Sequence, residues 1–425
     1  MIHKLEHDLK RRQQAKIDYY FGAIGMLVKK RRLQQKKTQE EVAKGICSNT
    51  YLSKFEHNSV AVNEEYLGLI MEKIELGYEC IVMPDEMLEI FHKALHYYIT
   101  DDRIAYEKLI SGLIDIEFAV LIDIARLGYF VMTENVRDSE NMANDLHHYL
   151  SSMDNEALGV FLLFNAASKV NNSRYDEAIK ILNLFDKLDT FHERLSGIVE
   201  YLKFVCYGYL GLTNPSRTAA ENARIAFSRT GNYRRLAMMD LFQMEFSFYE
   251  TNQIMIPSSS SYLVQLNIEE INKYHLLLAL GSIDFEENLE GITPESRYYP
   301  EAMFLKCLNF FEKSENEKYR KTKVEMRKNI SSFYEGMDYV NWLSMMESAD
   351  PMNLKDFLVD SILPFSYRSQ NLRYMRLATD KIVEILVNQK RYKDALTYKM
   401  KLETDIDFLR GIKKPTLPES ETSAN

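Results

Sequence analysis

Between Thr38 and Glu56 the chain sets two helix-start signals around a single glycine, and two short helices meeting at a tight turn satisfy both. Thr38-Gln39-Glu40-Glu41 is a capping box. The Thr38 hydroxyl can accept from the Glu41 amide while the Glu41 carboxylate reaches back. The helix it opens places Val42 and Ala43 inward; Gly45 permits the sharp exit, and Ile46 supplies an apolar plug at the turn. Ser48 is a second N-cap, opening a helix from Asn49 to Glu56 that turns Leu52 and Phe55 inward. Ahead of the pair, Ile24, Leu27 and Val28 share one helix face and lead into the basic run Lys29-Lys30-Arg31-Arg32. Behind it, Leu67, Ile70 and Ile74 close a small core. Two capped helices joined this way read as a helix-turn-helix.

A chain of 425 residues is too long for one core and divides into domains. Only 16 glycines and 9 prolines leave little turn chemistry for a many-stranded sheet, so long helices with short connections are expected. Residues 1–21 read as a charged helical extension with Ile2, Leu5, Leu9 and Ile17 near one side; it could extend the next helix or pair with another subunit. Residues 22–78 form the helix-turn-helix domain, and a short hinge around Cys80 to Asp85 leads into a repeat domain at 85–411. Residues 412–425 have the composition of a disordered tail.

Within the long domain, Asn172 to Ile179 and Gln389 to Leu396 share a pattern that puts a small residue, Ala178 or Ala395, where two helices approach. Ala219, Ala223 and Ala226 mark another such crossing after the loop at Thr213 to Pro215. Ala178 and Ala219 lie 41 positions apart, against about 34 for a tetratricopeptide unit. The repeats are therefore degenerate. The expected fold class is all-α: an N-terminal helix-turn-helix followed by a tetratricopeptide-like α-superhelix with a concave inner face.

Net charge is −9, but its distribution matters more than its sum. Residues 1–54 hold 13 Lys/Arg against 5 Asp/Glu, a balance of +8, which leaves −17 on the rest. A basic module that meets phosphate, joined to an acidic body that does not, fits this asymmetry. No apolar run approaches membrane-spanning length, and Met1 to Asp8 has no apolar core of an export signal. Cys47, Cys80, Cys206 and Cys307 are scattered without a CxxC pair. The expected compartment is the cytoplasm, with no membrane partner.

Residues 25–74 resemble the Xre/Cro-type helix-turn-helix through Gly25 and Arg32, Thr38-Gln39-Glu40-Glu41-Val42-Ala43, and Leu52-Ser53-Lys54-Phe55-Glu56. Joined to degenerate tetratricopeptide repeats, the chain resembles the peptide-sensing RRNPP regulators (the Rgg, PlcR, PrgX and NprR kinds), and its length resembles the NprR-like members. Two departures stand out. Lys36-Lys37 occupies the place of a usual Gly-Leu, which implies a changed exit from the first helix and one lost core contact. Asn58 replaces the glycine after the recognition helix.

The resemblance implies base-edge contacts from Asn49, Thr50 and Lys54, on a helix whose N-terminal turn enters the major groove. Asn suits adenine and Lys suits guanine by hydrogen-bond geometry. Ser48 caps that helix, and Tyr51 is placed to touch backbone or a thymine methyl group. Gln39 is expected at a phosphate beside the free amides of its helix start. Lys29, Lys30 and Arg31 would add sequence-independent attraction, although a basic run also reads as a solvated face. Arg32 and Glu56 are expected to pair internally. In the repeats, the resemblance implies a small signalling peptide held by Asn165, Asn171, Tyr201, Phe204, Arg235, Met238 and Phe242. Leu163, Ala167, Val170 and Gly208 line the same faces, and the alternative reading of all of these is plain core.

Catalytic signals are poor. His192-Glu193 lacks a following histidine for HExxH, and His92 with His96 makes at most half a metal site. There is no GxxxxGK, GxSxG or GxGxxG. The chain reads as a non-enzymatic, cofactor-free regulator of double-stranded DNA that acts as a homodimer and senses a peptide. Two other readings stand beside this: a repeat scaffold that binds or sequesters a partner protein, and a phage or plasmid repressor without a ligand.

Overall fold

A computed structural model describes residues 19–57, 59–60, 63–76, 84–113, 120–185, 188, 193–251, 253–256, 260–329, 336–347, 351–368 and 372–409. The expected extension before Tyr19, Asn58, the hinge at Cys80 and the tail lie outside these residues. Every regular element among them is helical. The chain divides into two compact units, residues 1–207 with 214–235, and residues 208–213 with 236–425.

The first unit begins with four helices: α1 (Tyr19–Gln34), α2 (Gln39–Ala43), α3 (Asn49–Glu56) and α4 (Glu64–Lys73). Their shared core is the one the apolar spacing requires, with Ile24, Leu27, Val28, Leu52, Phe55 and Ile70 buried together. α1 is already helical at Tyr19 and runs through the expected domain border at Gly22 without a break. Its exit is a left-handed turn with Lys36 at φ +54°, closed by the Lys36 and Lys37 amides donating to the Leu33 and Arg32 carbonyls, each at 3.0 Å. The helix thus stops with the backbone that glycine would favour, carried by a residue with a Cβ. Lys37, in place of an apolar side chain, sends its amine to the Lys73 carbonyl at 2.8 Å.

The helices that follow in the first unit are α5 (Pro84–Thr100), α6 (Arg103–Ser111), α7 (Val120–Met132), α8 (Val136–Leu146), a 3₁₀ turn (His147–Ser152), α9 (Asn155–Asn171), α10 (Tyr175–Phe185), α11 (Glu193–Tyr209) and α12 (Thr213–Thr230). α13 (Tyr233–Thr251) begins in this unit and continues in the second. The second unit holds α14 (Ile268–Leu280), α15 (Phe285–Glu290), α16 (Tyr299–Glu312), α17 (Asn316–Asn329), α18 (Gly336–Met346), α19 (Pro351–Phe357), α20 (Leu363–Arg368), α21 (Leu372–Asn388) and α22 (Tyr392–Leu409). Its core gathers around Trp342, whose ring lies 5.1 Å from Phe304 and 6.1 Å from Tyr374.

One turn recurs through both units. At Asp101, Glu134, Ser173, Gly231, Ser282, Ser314 and Lys390 the backbone takes φ between +54° and +68°. In each case that residue's amide donates three positions back and the next amide donates five positions back, as Ser173 to Val170 and Arg174 to Lys169 do. This double bond satisfies the terminal carbonyls of one helix and redirects the chain into the next. Several of the following helices start from a side-chain cap: Asp102 accepts from Ala105 and Asn135 from Asp138. Small residues sit at the crossings. Ala178, Ala219 and Ala395 are buried as the pattern predicts. At Gly128 a Cβ would collide with Tyr106 and Phe164, so α7 approaches its neighbours more closely than any side chain permits.

Replacing Lys36 by glycine removes the left-handed penalty at the α1 exit while keeping the turn. The expected outcome is a gain of about 0.5–1 kcal/mol for the four-helix domain, read from native-state amide exchange at Leu27 and Val28. Unchanged or faster exchange in Lys36→Gly would show that this turn is not strained.

Candidate functional site

α2 and α3 are built by the signals that announce them. The Glu41 amide donates to the Thr38 hydroxyl at 3.2 Å, and the Thr38 amide donates to the Glu41 carboxylate at 2.6 Å, completing the capping box. The Thr38 amide and hydroxyl, acting in that order, hold the Glu41 carboxyl below its ordinary pKa. Gly45 takes φ +83°, and the Tyr51 amide donates to the Ser48 hydroxyl at 3.1 Å to start α3.

α3 has two faces. Leu52, Phe55 and Glu56 are fully buried, whereas Asn49, Thr50 and Lys54 are exposed. Those three side chains make no hydrogen bond or ion pair among the described residues, so their donors and acceptors are open to a ligand. The buried face is locked by charge. Arg32 donates to Glu56 through Nε at 2.6 Å and Nη2 at 2.8 Å, a two-point grip, and through Nη1 to the Lys37 carbonyl at 2.9 Å. Gln39 donates to the same carboxylate at 2.8 Å. Gln39, expected at a phosphate, therefore ties the start of α2 to the end of α3. Tyr51 is also engaged: its hydroxyl accepts from the Asn63 amide at 2.9 Å and its ring meets Tyr66 edge-on at 5.4 Å.

The basic run is not the free cationic edge that the sequence suggests. Lys29 is buried. Arg31 donates to the Ile74 and Glu75 carbonyls at 3.2 and 3.3 Å, and Gln35 also reaches Ile74 at 2.6 Å. With Lys37, these side chains cover the carbonyl end of α4, where positive charge is favoured. Lys30 pairs with Asp123 on α7, and Arg126 donates to the other oxygen of that carboxylate at 3.1 Å. Sequence reasoning missed Asp123, which lies 93 positions away.

The repeat residues separate by environment. Asn165 on α9 has no exposed surface, and neither atom of its amide has a hydrogen-bond partner among the described residues. Asn171 instead donates to the Val131 carbonyl at 2.7 Å. Tyr201 and Phe204 are buried on α11. Arg235 is stacked between the rings of Tyr98 (5.5 Å) and Tyr201 (5.4 Å) and donates to the Tyr98 carbonyl at 2.8 Å. Asp101 lies beside it and takes Arg234 at 2.6 Å. Burial pushes the Asp101 carboxyl up, but Arg235, Arg234 and Arg103 together hold it below its usual value. Met238 and Phe242 are half-buried in the second unit, where Lys273 sits 4.7 Å over the Phe242 ring. The structure thus brings Tyr201 and Arg235 together, and adds Tyr98 and Asp101, which no local sequence signal marked. His92 meets Glu156 at 3.1 Å, and no cluster of three metal-ligating side chains occurs among the described residues.

The family model described as Helix-turn-helix matches residues 28–77. Residues 28–77 are a helix-turn-helix domain. No protein of curated function matches the sequence. Among solved structures, the apo form of the quorum sensor NprR from B. thuringiensis aligns with a TM-score of 0.55 at 12% identity, over 76% of this chain and 99% of that one. The chain therefore has the NprR fold, a helix-turn-helix domain followed by helical repeats. Bacillus thuringiensis PlcR in complex with the peptide PapR7 and DNA aligns at 12% identity over 62% of this chain and 97% of that one, with a TM-score of only 0.34. The Streptococcus dysgalactiae SHP pheromone receptor Rgg2 reaches 0.22 at 13% identity, over 72% and 99%. No described helix is long and apolar enough to cross a membrane.

Because Glu56 anchors α1, α2 and α3 of the helix-turn-helix domain at once, Glu56→Ala strands a buried guanidinium. The expected loss is about 3–5 kcal/mol, seen as protease cleavage within residues 28–77 under conditions where the wild-type domain resists. Wild-type resistance in the variant would remove the keystone role.

Proposed function

We propose that the chain is a transcription regulator that binds double-stranded DNA as a homodimer through α3 and answers to a small signalling peptide bound in its repeats. The observation that carries the DNA part is the division of α3. Its inner face is fixed by Leu52, Phe55 and the Arg32–Glu56 grip, while Asn49, Thr50 and Lys54 stand outward with open hydrogen-bonding capacity. An amide in the first turn of a rigid helix and an ammonium in its last turn, both on the outer face, suit adenine and guanine edges in a major groove. Phosphate attraction falls to exposed Lys44 and to the helix starts, since Lys29, Lys30 and Arg31 are engaged within the protein.

Support for a peptide comes from Asn165 and from the shared fold, whose NprR example is described as a quorum sensor. A buried amide with two unmet hydrogen-bonding groups is costly, and an extended peptide backbone offers the matching donor and acceptor. Peptide control requires the ligand to favour one arrangement of the DNA-binding domains over another.

Two outcomes test the two halves separately. On an operator selected from random duplexes, Asn49→Ala should lose about 1–3 kcal/mol of discrimination at one base position while retaining non-specific binding. Equal sequence preference in wild type and variant, measured by fluorescence anisotropy, would reject the groove assignment. Asn165→Leu replaces the unmet amide by an apolar group of similar size, and should stabilise the free protein by about 1–2 kcal/mol while abolishing heat from a peptide that binds wild type. Destabilisation with peptide binding intact would make Asn165 an ordinary core residue.

A further inference from the structure

α20 and α22 each pack against α21, and a cavity of about 740 Å³ lies between them in the second unit. A packed core leaves no such space, whereas small-molecule sites commonly measure on the order of 300–1,000 Å³. The chain itself opens this one. Pro364 brings no amide, so the Asp360 carbonyl has no donor four positions on. The backbone ahead of the proline widens into a π turn, Leu358–Ile362, in which the Leu363 amide donates five positions back to Leu358. Single π turns inside helices are frequent at functional sites. Val359 and Leu363 on this wall, Met375 on α21 and Leu402 on α22 give the cavity an apolar body. Tyr367 and Tyr398 add two rings.

The charges decide what fits. Asp405 lines the cavity half-buried, and its carboxylate accepts no hydrogen bond and joins no ion pair among the described residues. Lys401, one turn earlier on α22, is exposed, and a base placed before an acid is the weaker order for a helical pair. Burial raises the Asp405 carboxyl above its ordinary pKa, and Lys401 opposes this only in part. On the π turn Asp360 is exposed and likewise unpaired among the described residues. The lining residues thus hold two carboxylates against one amine. An anion would meet an excess of like charge, and a plain hydrocarbon would leave Asp405 desolvated without a partner. An ammonium supplies the missing counter-charge and is also attracted to a tyrosine face.

We infer that this cavity is a binding site for a small organic cation, its ammonium held by Asp405 beside Tyr398 and its apolar body lodged among Val359, Leu363 and Met375. The site shares no residue with the proposed peptide site, so neither reading depends on the other. The probe is 4-phenylbutylamine, with 4-phenylbutanol and 4-phenylbutyrate as its neutral and anionic counterparts, each titrated calorimetrically into the full chain. Carbon-13 methyl spectra place the ligand, with the Met375 signal assigned from Met375→Leu. The amine should bind about tenfold or more tighter than the alcohol, the butyrate should give no heat, and the Met375 methyl should shift. Asp405→Asn, of the same shape, should reduce the amine to the affinity of the alcohol and leave the alcohol unchanged. Val359→Trp should fill the space and abolish binding of both, with the helical circular dichroism spectrum retained. An amine no tighter than its alcohol, an affinity indifferent to Asp405→Asn, or binding that leaves the Met375 methyl unmoved would overturn the assignment. So would a Met375 signal that shifts with protein concentration alone while the amine is excluded, since a second copy would then fill the cavity.

Discussion

A carboxylate without any exposed surface sits where three helices of the DNA-binding domain meet, and that domain is organised around its charge. Glu56 is in the last turn of α3, Arg32 in the last turn of α1 and Gln39 at the first turn of α2. Removing such a group from water is expensive unless its lone pairs are filled, and three donors fill them here. Arg32 then carries the arrangement outward to the Lys37 carbonyl and so to the turn between α1 and α2. Apolar packing of Leu52 and Phe55 would hold α3 in place against sliding forces of many kinds, but it is non-directional. The two-point grip on Glu56 fixes the rotation of α3 about its axis, and that rotation determines which side chains face outward.

The same economy of charge explains why a basic sequence does not become a basic surface. Of the run that opens the domain, Lys29 is buried, Lys30 is paired, Arg31 covers the end of α4 and Arg32 holds Glu56. Within this run of four the cations serve the fold, and Lys37 beyond it does the same. A domain so short has little apolar area to bury, and directional bonds to helix-end carbonyls fix its helices where packing alone is thin.

Much of this was legible locally. The capping box at Thr38, the cap at Ser48 and the inward set of α3 follow from spacing within single helices and their starts, where periodicity and capping rules operate, and the Arg32–Glu56 pair, 24 positions apart, was expected from the helix-turn-helix pattern as a whole. Partners far apart in sequence were not legible: Asp123 for Lys30, and Tyr98 and Asp101 for Arg235, lie 93 to 137 positions away. The repeats were blurred for a different reason. Their shared element is a left-handed turn, and among the described ones only Gly231 and the related turn at Gly211 are made by glycine. Asp, Glu, Ser and Lys carry the others, so a uniform backbone event leaves a varied sequence. The spacing of small residues, 41 positions from Ala178 to Ala219, was therefore the available measure of the repeat, and it showed less regularity than the turns do.

α1 belongs to two assemblies at once. Its inner face is the core of the DNA-binding domain, and Lys30 on another side reaches Asp123 on α7. Because α3 is locked to α1 through Glu56, the helix that meets α7 is also the one that sets the orientation of α3. The carboxylate at the dock is shared: Arg126 donates to Asp123 at 3.1 Å and to the Leu113 carbonyl at 2.7 Å. The Lys30 amine is therefore not the sole support of the Asp123 carboxylate, and α1 also packs on α7 and on the turn at His147–Ser152. The peptide control proposed above would have to act through that dock, by favouring one placement of α1 against α7 over another.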